Sequence, residues 1–234
     1  MKDMFLEYYQ PTDDEFKQLW ADAIFVFDAN VLLDIYRYSP TASKELITIL
    51  EQLDGRKWLP HQFALEYHRH MAEVKETSHK EYGELSTILS KLKEDSSNKL
   101  TGALGKFKNR TQLNINEWVE KFESLFEELS QSIDGFREEH KARIDEDGIE
   151  DKIAELFKGK IGQPYSEDDL KNKYQTGKDR YRREQPPGFE DIKDKKEPEC
   201  YGDLIGWFQI IDFAEQKKSP IILITNDTKP DWFY

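Results

Sequence analysis

Cysteine is almost missing from this chain of 234 residues, which contains one, Cys200. A single cysteine excludes an internal disulfide and is typical of a protein in a reducing compartment. Apolar runs are also short, and none approaches the roughly 20 residues that a membrane span requires. Because the N-terminus lacks the apolar core of a signal peptide as well, we expect a soluble cytoplasmic protein with no membrane partner.

The chain also lacks the short motifs that commonly bind phosphate or zinc. It has no glycine-rich phosphate loop, no zinc-type spacing of cysteine and histidine, and no internal repeat. Positive charge is in deficit, because 34 lysine and arginine residues face 47 aspartate and glutamate residues, for a net charge of -13. This balance argues against general electrostatic attraction to nucleic acid or anionic membranes. A set of metal-binding carboxylates with a local basic strip remains compatible with it.

Two short apolar runs are typical of buried strands, and each leads to an aspartate. Residues 24–27 precede Asp28, and residues 221–225 precede Asn226 and Asp227. Both runs are too short for helices and are bounded by polar residues, as strands are. Both runs are predicted to be fully buried strands, and the second has the clearest strand pattern in the chain. Asn30 is predicted to cap the helix that follows Asp28.

Helical spacing of apolar residues predicts helices from about residue 13, from Pro40, from His61 and from Tyr201. From about residue 76 to residue 160 the composition shifts to dense charge with sparse, periodic apolar residues, which favours two long helices packed on each other. We therefore predict a core of residues 1–75 and 176–234 with a helical insertion at 76–175. The insertion is where we expect a protein partner or self-association. Residues 160–198, which are locally basic, are predicted to form a loop.

Four acidic residues stand at the ends of predicted elements. Asp28 and Asp227 follow strands, Glu66 borders an apolar helical stripe, and Asp203 lies in the first turn of an apolar helix. If the strands are parallel, their carboxyl ends share one edge of the sheet. Crowded carboxylates repel one another, and a hard divalent cation such as Mg²⁺ or Mn²⁺ removes that penalty. Taken singly, each acid is also explained as a helix cap, as a favourable charge near a helix N-terminus or as a solvated surface residue. The prediction of a metal site therefore rests on the four acids occurring together.

Several of these segments resemble, in order, the motifs of PIN domains. The opening segment, residues 25–33, is a strand followed by Asp28-Ala29-Asn30 and an apolar helix; the later segments are residues 60–67, 201–207 and 222–227. With residues 186–191, they resemble the bacterial PIN-like group that carries a long helical insertion. The resemblance implies an α/β fold in which an open parallel sheet is flanked by helices.

The resemblance also implies a metal-dependent nuclease that hydrolyses phosphodiester bonds in RNA or DNA with water activated by Mg²⁺ or Mn²⁺. Asn30 would orient Asp28 or a metal-bound water, and Asp191 and Asp194 would be outer ligands. The metal-site and catalytic acids implied by position are Asp28, Glu66, Asp203 and Asp227. Contacts with the nucleic-acid backbone are expected from four basic residues: Arg182, Arg183, Lys195 and Lys196.

Two other functions fit part of the pattern. A haloacid-dehalogenase-type phosphohydrolase would explain Thr225-Asn226 after a strand, but Asn30 stands where its general acid is needed. A non-catalytic PIN-like binding module would use the core to present the helical insertion, although clustered acids bring such a module no benefit. PIN domains usually have a further strand after the last aspartate, so the apolar ending at residues 232–234 suggests a piece of a longer protein.

Overall fold

The structure is a computed structural model that describes residues 1, 4, 5, 8–106, 115–146 and 148–232. Phe233 and Tyr234, from the apolar ending noted above, lie outside these residues. None of the described helices is both long and apolar enough to cross a membrane. In chain order the elements are α1 (Asp13–Asp22), β1 (Ile24–Phe27), α2 (Ala29–Arg37), α3 (Pro40–Gln52), β2 (Lys57–Trp58), α4 (His61–Gly105), α5 (Ile115–Glu146), α6 (Ile149–Leu156), α7 (Glu167–Arg182), α8 (Gly202–Lys217) and β3 (Ile221–Ile224), with 3₁₀ turns at Asp54–Arg56, Phe189–Lys193 and Glu199–Tyr201.

Three short parallel strands form an open sheet in the order β2-β1-β3. Phe25 pairs with Lys57 on one side and with Ile222 on the other. Strand β1 is central, and its residue Val26 is fully buried. In βαβ connections the helices pack on the faces of the parallel sheet and cover it. The predicted α/β fold with an open parallel sheet flanked by helices is therefore confirmed.

Strand β3 differs from its prediction, because all four of its residues are only half-buried. It is as apolar as β1, but it pairs with β1 alone among the described strands and lies at the edge of the sheet. The expectation that it would be a fully buried strand was wrong. Apolarity in a strand does not reveal its place in the order of the sheet, which depends on residues far along the chain.

The chain divides into two compact units. The first contains residues 1–35, 42–71 and 150–234 and holds the sheet; the second contains residues 36–41 and 72–149. Within the second unit, the long helices α4 and α5 run antiparallel, with Lys93 Nζ 3.4 Å from Glu127 and the Ser97 hydroxyl donating to Glu123 at 3.2 Å. The predicted division into a core of residues 1–75 and 176–234 with a helical insertion at 76–175 stays a prediction.

Helix α7 lies where residues 160–198 were predicted to form a loop, so that prediction was wrong over residues 167–182. The Ser166 hydroxyl accepts the backbone N–H of Asp169, and three acidic residues follow in the first turn, which favours a helix N-terminus. Four residues at helical spacing face the core around Tyr201: Leu170, Tyr174, Gly177 and Tyr181. Dense surface charge concealed this sparse apolar stripe.

Candidate metal centre

Asp28 follows the central strand β1 and is 5% exposed. Its Oδ2 accepts hydrogen bonds from Asn30 Nδ2 at 2.9 Å and from the Thr225 hydroxyl at 2.8 Å. The backbone N–H groups of Ala29 and Asn30 also donate to its carboxylate. Because α2 begins at Ala29, Asn30 lies inside its first turn, and the prediction that Asn30 caps this helix was wrong. In addition to its bond to Asp28, Asn30 Nδ2 donates to the Thr225 hydroxyl at 3.2 Å. Asn30 Oδ1 accepts the backbone N–H of Asn226.

A close contact between the first turns of α4 and α8 brings Glu66 near Asp203. Two glycines on α8 permit the approach: a Cβ on Gly202 would overlap Glu66 Oε1, and a Cβ on Gly206 would overlap the ring of Phe63. Gln62 Nε2 donates to Glu66 Oε1 at 2.7 Å and fixes the carboxylate. The two glycines on this face of α8 therefore determine how close Glu66 and Asp203 lie to each other.

The buried carboxylates strongly affect one another's ionisation. Burial, followed by the negative charges of Glu66, Asp191 and Asp28, raises the pKa of Asp203 from 3.8 to about 8. Burial also raises the pKa of Glu66, and the charge of Asp28 adds to the effect. The pKa of Asp28 is raised first by burial and further by the charge of Asp227. A site of this kind carries several negative charges only at a cost in free energy. We call Asp28, Glu66, Asp191 and Asp203 the acidic cluster.

Asp191 lies inside the acidic cluster and Asp227 at its margin. Asp191 is 7% exposed, and Lys195 Nζ donates to its Oδ2 at 2.6 Å. Asp227 acts on Asp28, and Lys229 Nζ lies 3.5 Å from its Oδ2 and 4.0 Å from Asp191 Oδ1. Lys229 was missed from the sequence, because a single lysine in an irregular segment carries no pattern.

A C-terminal segment closes one side of the acidic cluster. Trp232 Nε1 donates to Asp203 Oδ2 at 3.1 Å, and the Gly188 N–H donates to the carbonyl of Asp231 at 2.9 Å. The backbone of Gly188 has a φ of 76°, and a Cβ there would lie 2.9 Å from Asp203 Cβ. Glycine suits this position on both counts. The Trp232 contact was also missed, since it joins two segments that no motif connects.

A family model of the PIN like domain matches residues 24–234. This chain belongs to the PIN-like domain family. Neither a curated protein nor a solved structure gives a significant match. PIN-like domains are generally nucleases, and PIN-domain nucleases typically use divalent metals. The matched span includes the whole acidic cluster and the segment that closes it.

The predicted nucleic-acid contacts of this PIN-like domain fall in two places. Lys195 is half-exposed beside Asp191 and thus reaches the acidic cluster. Arg182 and Arg183 lie at the C-terminal end of α7, where Arg182 pairs with Asp179 at 3.4 Å. Lys196, which follows Lys195 in the chain, is exposed. Asp194, expected as an outer ligand, is exposed at the end of a 3₁₀ turn. The structure therefore brings one of the four predicted basic residues to the acids.

The donor chemistry of the acidic cluster fits a hard divalent cation, because every member offers carboxylate oxygen. Burial also disfavours the charged forms of Glu66 and Asp203, and a bound cation would offset that cost. The spacing is wider than a bound ion requires: in the part of the chain that is described, no three such side chains are close enough to hold a metal as they stand. Each carboxylate instead accepts hydrogen bonds from its own donors, among them Thr225, Gln62, Lys195 and Trp232.

Proposed function

We propose that this PIN-like domain is a metal-dependent nuclease that hydrolyses phosphodiester bonds in RNA or DNA. The observation that carries the proposal is the acidic cluster, whose members come from four separate segments. Burial and neighbouring negative charges raise the pKa of three of them, Asp28, Glu66 and Asp203. Burying several like charges together destabilises a fold, and Lys195 offsets this cost at Asp191. A function that needs the charges, such as binding a divalent cation, explains why they are together.

The residues that would hold Mg²⁺ or Mn²⁺ are Asp28, Glu66, Asp203 and Asp227, with Asp191 as a supporting ligand. The metal, when bound, would supply an activated water and offset negative charge on the phosphate. Asn30 and Thr225 fix the orientation of Asp28 through their hydrogen bonds to its Oδ2. Gln62 does the same for Glu66.

Substrate binding falls to the basic residues around the acids. Lys195, which is half-exposed, would contact the phosphate nearest the acidic cluster. Contacts further along the nucleic-acid backbone are expected from Arg182, Arg183 and Lys196. The alternative of a haloacid-dehalogenase-type phosphohydrolase loses support, because the chain belongs to another family and Asn30 is engaged with Asp28 and Thr225.

Replacing the proposed ligands should abolish cleavage while the fold stays intact. We expect Asp28→Asn to lower the cleavage rate roughly 100-fold or more, as loss of a preorganised electrostatic group does, and Asp227→Asn to lower it as well. The assay uses labelled single-stranded RNA, single-stranded DNA and duplexes, each with Mg²⁺, Mn²⁺ or EDTA. Asp168→Asn is the matched control, because that carboxylate is almost fully exposed.

Undiminished cleavage by the Asp28 variant, or full cleavage in EDTA, would contradict this assignment. If the wild type cleaves none of these substrates with either metal, the non-catalytic binding module is the better description. A small phosphoester offered as substrate separates the phosphohydrolase alternative, since a nuclease site of this kind should leave it intact.

Metal binding should also be visible without catalysis. We expect millimolar Mn²⁺ to raise the Tm of the wild type, because a ligand at 100 times its Kd stabilises the folded state by about 2.7 kcal/mol. Asp28→Asn should show little of this shift, and Asp168→Asn should show all of it. The measurement is thermal melting with Mn²⁺ and with EDTA. Equal shifts in all three proteins would place the metal elsewhere.

A further inference from the structure

A cleft of about 230 Å³ lies between the first turns of α4, helix α7 and α8. Three aliphatic side chains line it, Leu65, Leu170 and Ile205, together with two tyrosines, Tyr165 and Tyr174. Its volume is below the roughly 300–1,000 Å³ typical of sites for drug-sized ligands. The cleft therefore fits one planar ring system rather than a larger molecule.

Both tyrosines are held in place by ordered neighbours. The Tyr165 hydroxyl donates to Asp212, and Lys173 Nζ lies 4.2 Å from the centroid of its ring. The Tyr174 ring lies 5.6 Å from the buried ring of Tyr201, with the planes tilted by 32°. Fixed aromatic rings lose little conformational entropy on binding and offer surfaces on which any nucleobase stacks.

The lining also carries charged groups suited to the polar parts of a nucleotide. Arg69 and Glu199 are exposed on the lining, and both act on the Tyr174 hydroxyl: burial raises the pKa of Tyr174, Arg69 opposes this and Glu199 reinforces it. An arginine pairs well with a phosphate, and a carboxylate accepts hydrogen bonds from the amino group of a base. Gln62 and Gln209 also line the cleft, but their side-chain amides bond within the protein: Gln62 Nε2 donates to Glu66, and Gln209 Oε1 accepts the Gln62 N–H.

Two connections join this cleft to the acidic cluster. Gln62 lines the cleft and donates to Glu66 Oε1 at 2.7 Å. Lys195 pairs with Asp191, and Pro198, three residues further along the chain, lines the cleft. The cleft and the acidic cluster therefore share the N-terminal part of α4 and the segment of residues 195–198.

We propose that this cleft binds a single unpaired nucleobase of the substrate, adjacent to the phosphate at the acidic cluster. The inference rests on the proposed nuclease function. A base stacked in a duplex must leave its partner to enter such a cleft. Binding in the cleft therefore makes cleavage depend on an unpaired nucleotide at one fixed position relative to the cut.

Binding is tested with short single-stranded DNA and RNA oligonucleotides in which 2-aminopurine occupies one position at a time. The protein is Asp203→Asn without added metal, so that the oligonucleotide is not cut. We expect fluorescence quenching at one register, from stacking on tyrosine. In this background Tyr174→Ala should weaken binding roughly tenfold, in line with base–aromatic stacking, whereas Tyr174→Phe should retain it. Tyr8→Ala is the control, since Tyr8 is a highly exposed tyrosine that does not line the cleft.

The same position is tested in cleavage by the wild type with Mn²⁺. An abasic nucleotide there should slow cleavage roughly tenfold, again the size of one stacking contact, and should have no added effect in Tyr174→Ala. Arg69→Ala, which changes an exposed side chain, should weaken binding without lowering the Tm. Cleavage that is indifferent to abasic nucleotides at every position, with quenching unchanged in Tyr174→Ala, overturns the cleft proposal and leaves the nuclease standing. An absence of both binding and cleavage overturns the nuclease proposal itself.

Discussion

Asp203→Asn should make the metal-free protein more stable than the wild type at pH 8.5, with little difference at pH 4. The folded protein raises the pKa of Asp203 to about 8 by burial and by the charges of Glu66, Asp191 and Asp28, whereas the unfolded chain keeps it near 3.8. Between these values the folded state holds a proton that the unfolded state has lost. Stability must therefore fall as pH rises through this window.

The expected gain at pH 8.5 is on the order of 2–5 kcal/mol, because one pKa unit corresponds to about 1.4 kcal/mol. For a chain of this size that is roughly 5–15 °C in Tm. The measurement is thermal melting in EDTA from pH 4 to pH 8.5. Asp168→Asn controls for the loss of one negative charge from an acidic protein. It removes an exposed carboxylate from the first turn of α7, so any difference from the wild type should be small and should not grow between pH 4 and pH 8.5.

A difference between Asp203→Asn and the wild type that stays constant over this range would contradict the electrostatic account. Mn²⁺ gives a second check, because a bound cation offsets the repulsion that the mutation removes. Adding Mn²⁺ at pH 8.5 should therefore reduce the difference in Tm between Asp203→Asn and the wild type. If Mn²⁺ leaves this difference in Tm unchanged, the cation does not reach Asp203.

Gly206→Ala should be strongly destabilising although it adds one methyl group. A Cβ at Gly206 would lie within 3 Å of three ring carbons of Phe63, which is fully buried. Overpacking a well-filled core costs about 1–3 kcal/mol and occasionally more. Because the same contact between α4 and α8 brings Glu66 to Asp203, cleavage should fall as well. Urea unfolding gives the free energy of unfolding, and the nuclease assay gives the rate.

Gly83→Ala is the matched control, because Gly83 also lies inside a helix and has nothing within 4 Å of an added Cβ. In an exposed helix interior, alanine is more favourable than glycine by about 1 kcal/mol. The control should therefore stabilise the protein slightly and leave cleavage unchanged. If Gly206→Ala is as stable as Gly83→Ala, α8 does not pack on Phe63 as closely as described.

Local patterns identified most of the elements around the acidic cluster. The apolar run before Asp28 predicted β1, and the spacing after Tyr201 predicted α8, because burial of one face imposes a period that the sequence records. Helix α7 escaped this reasoning, since its surface is so charged that only Leu170, Tyr174, Gly177 and Tyr181 mark the buried side. Its absence from the prediction also hid the cleft that α7 lines.

The sequence by itself determined the family of this protein and its α/β class, because these follow from local periodicity and from short motifs in a fixed order. Its choice of acids for a metal site stays a prediction. The tertiary structure decided which acids meet. It drew Asp191 into the acidic cluster, left Asp227 at the margin and supplied Lys229 and Trp232 as partners. These outcomes depend on the order of the strands and on the approach of α8 to α4, which join residues more than a hundred positions apart and leave no local signal.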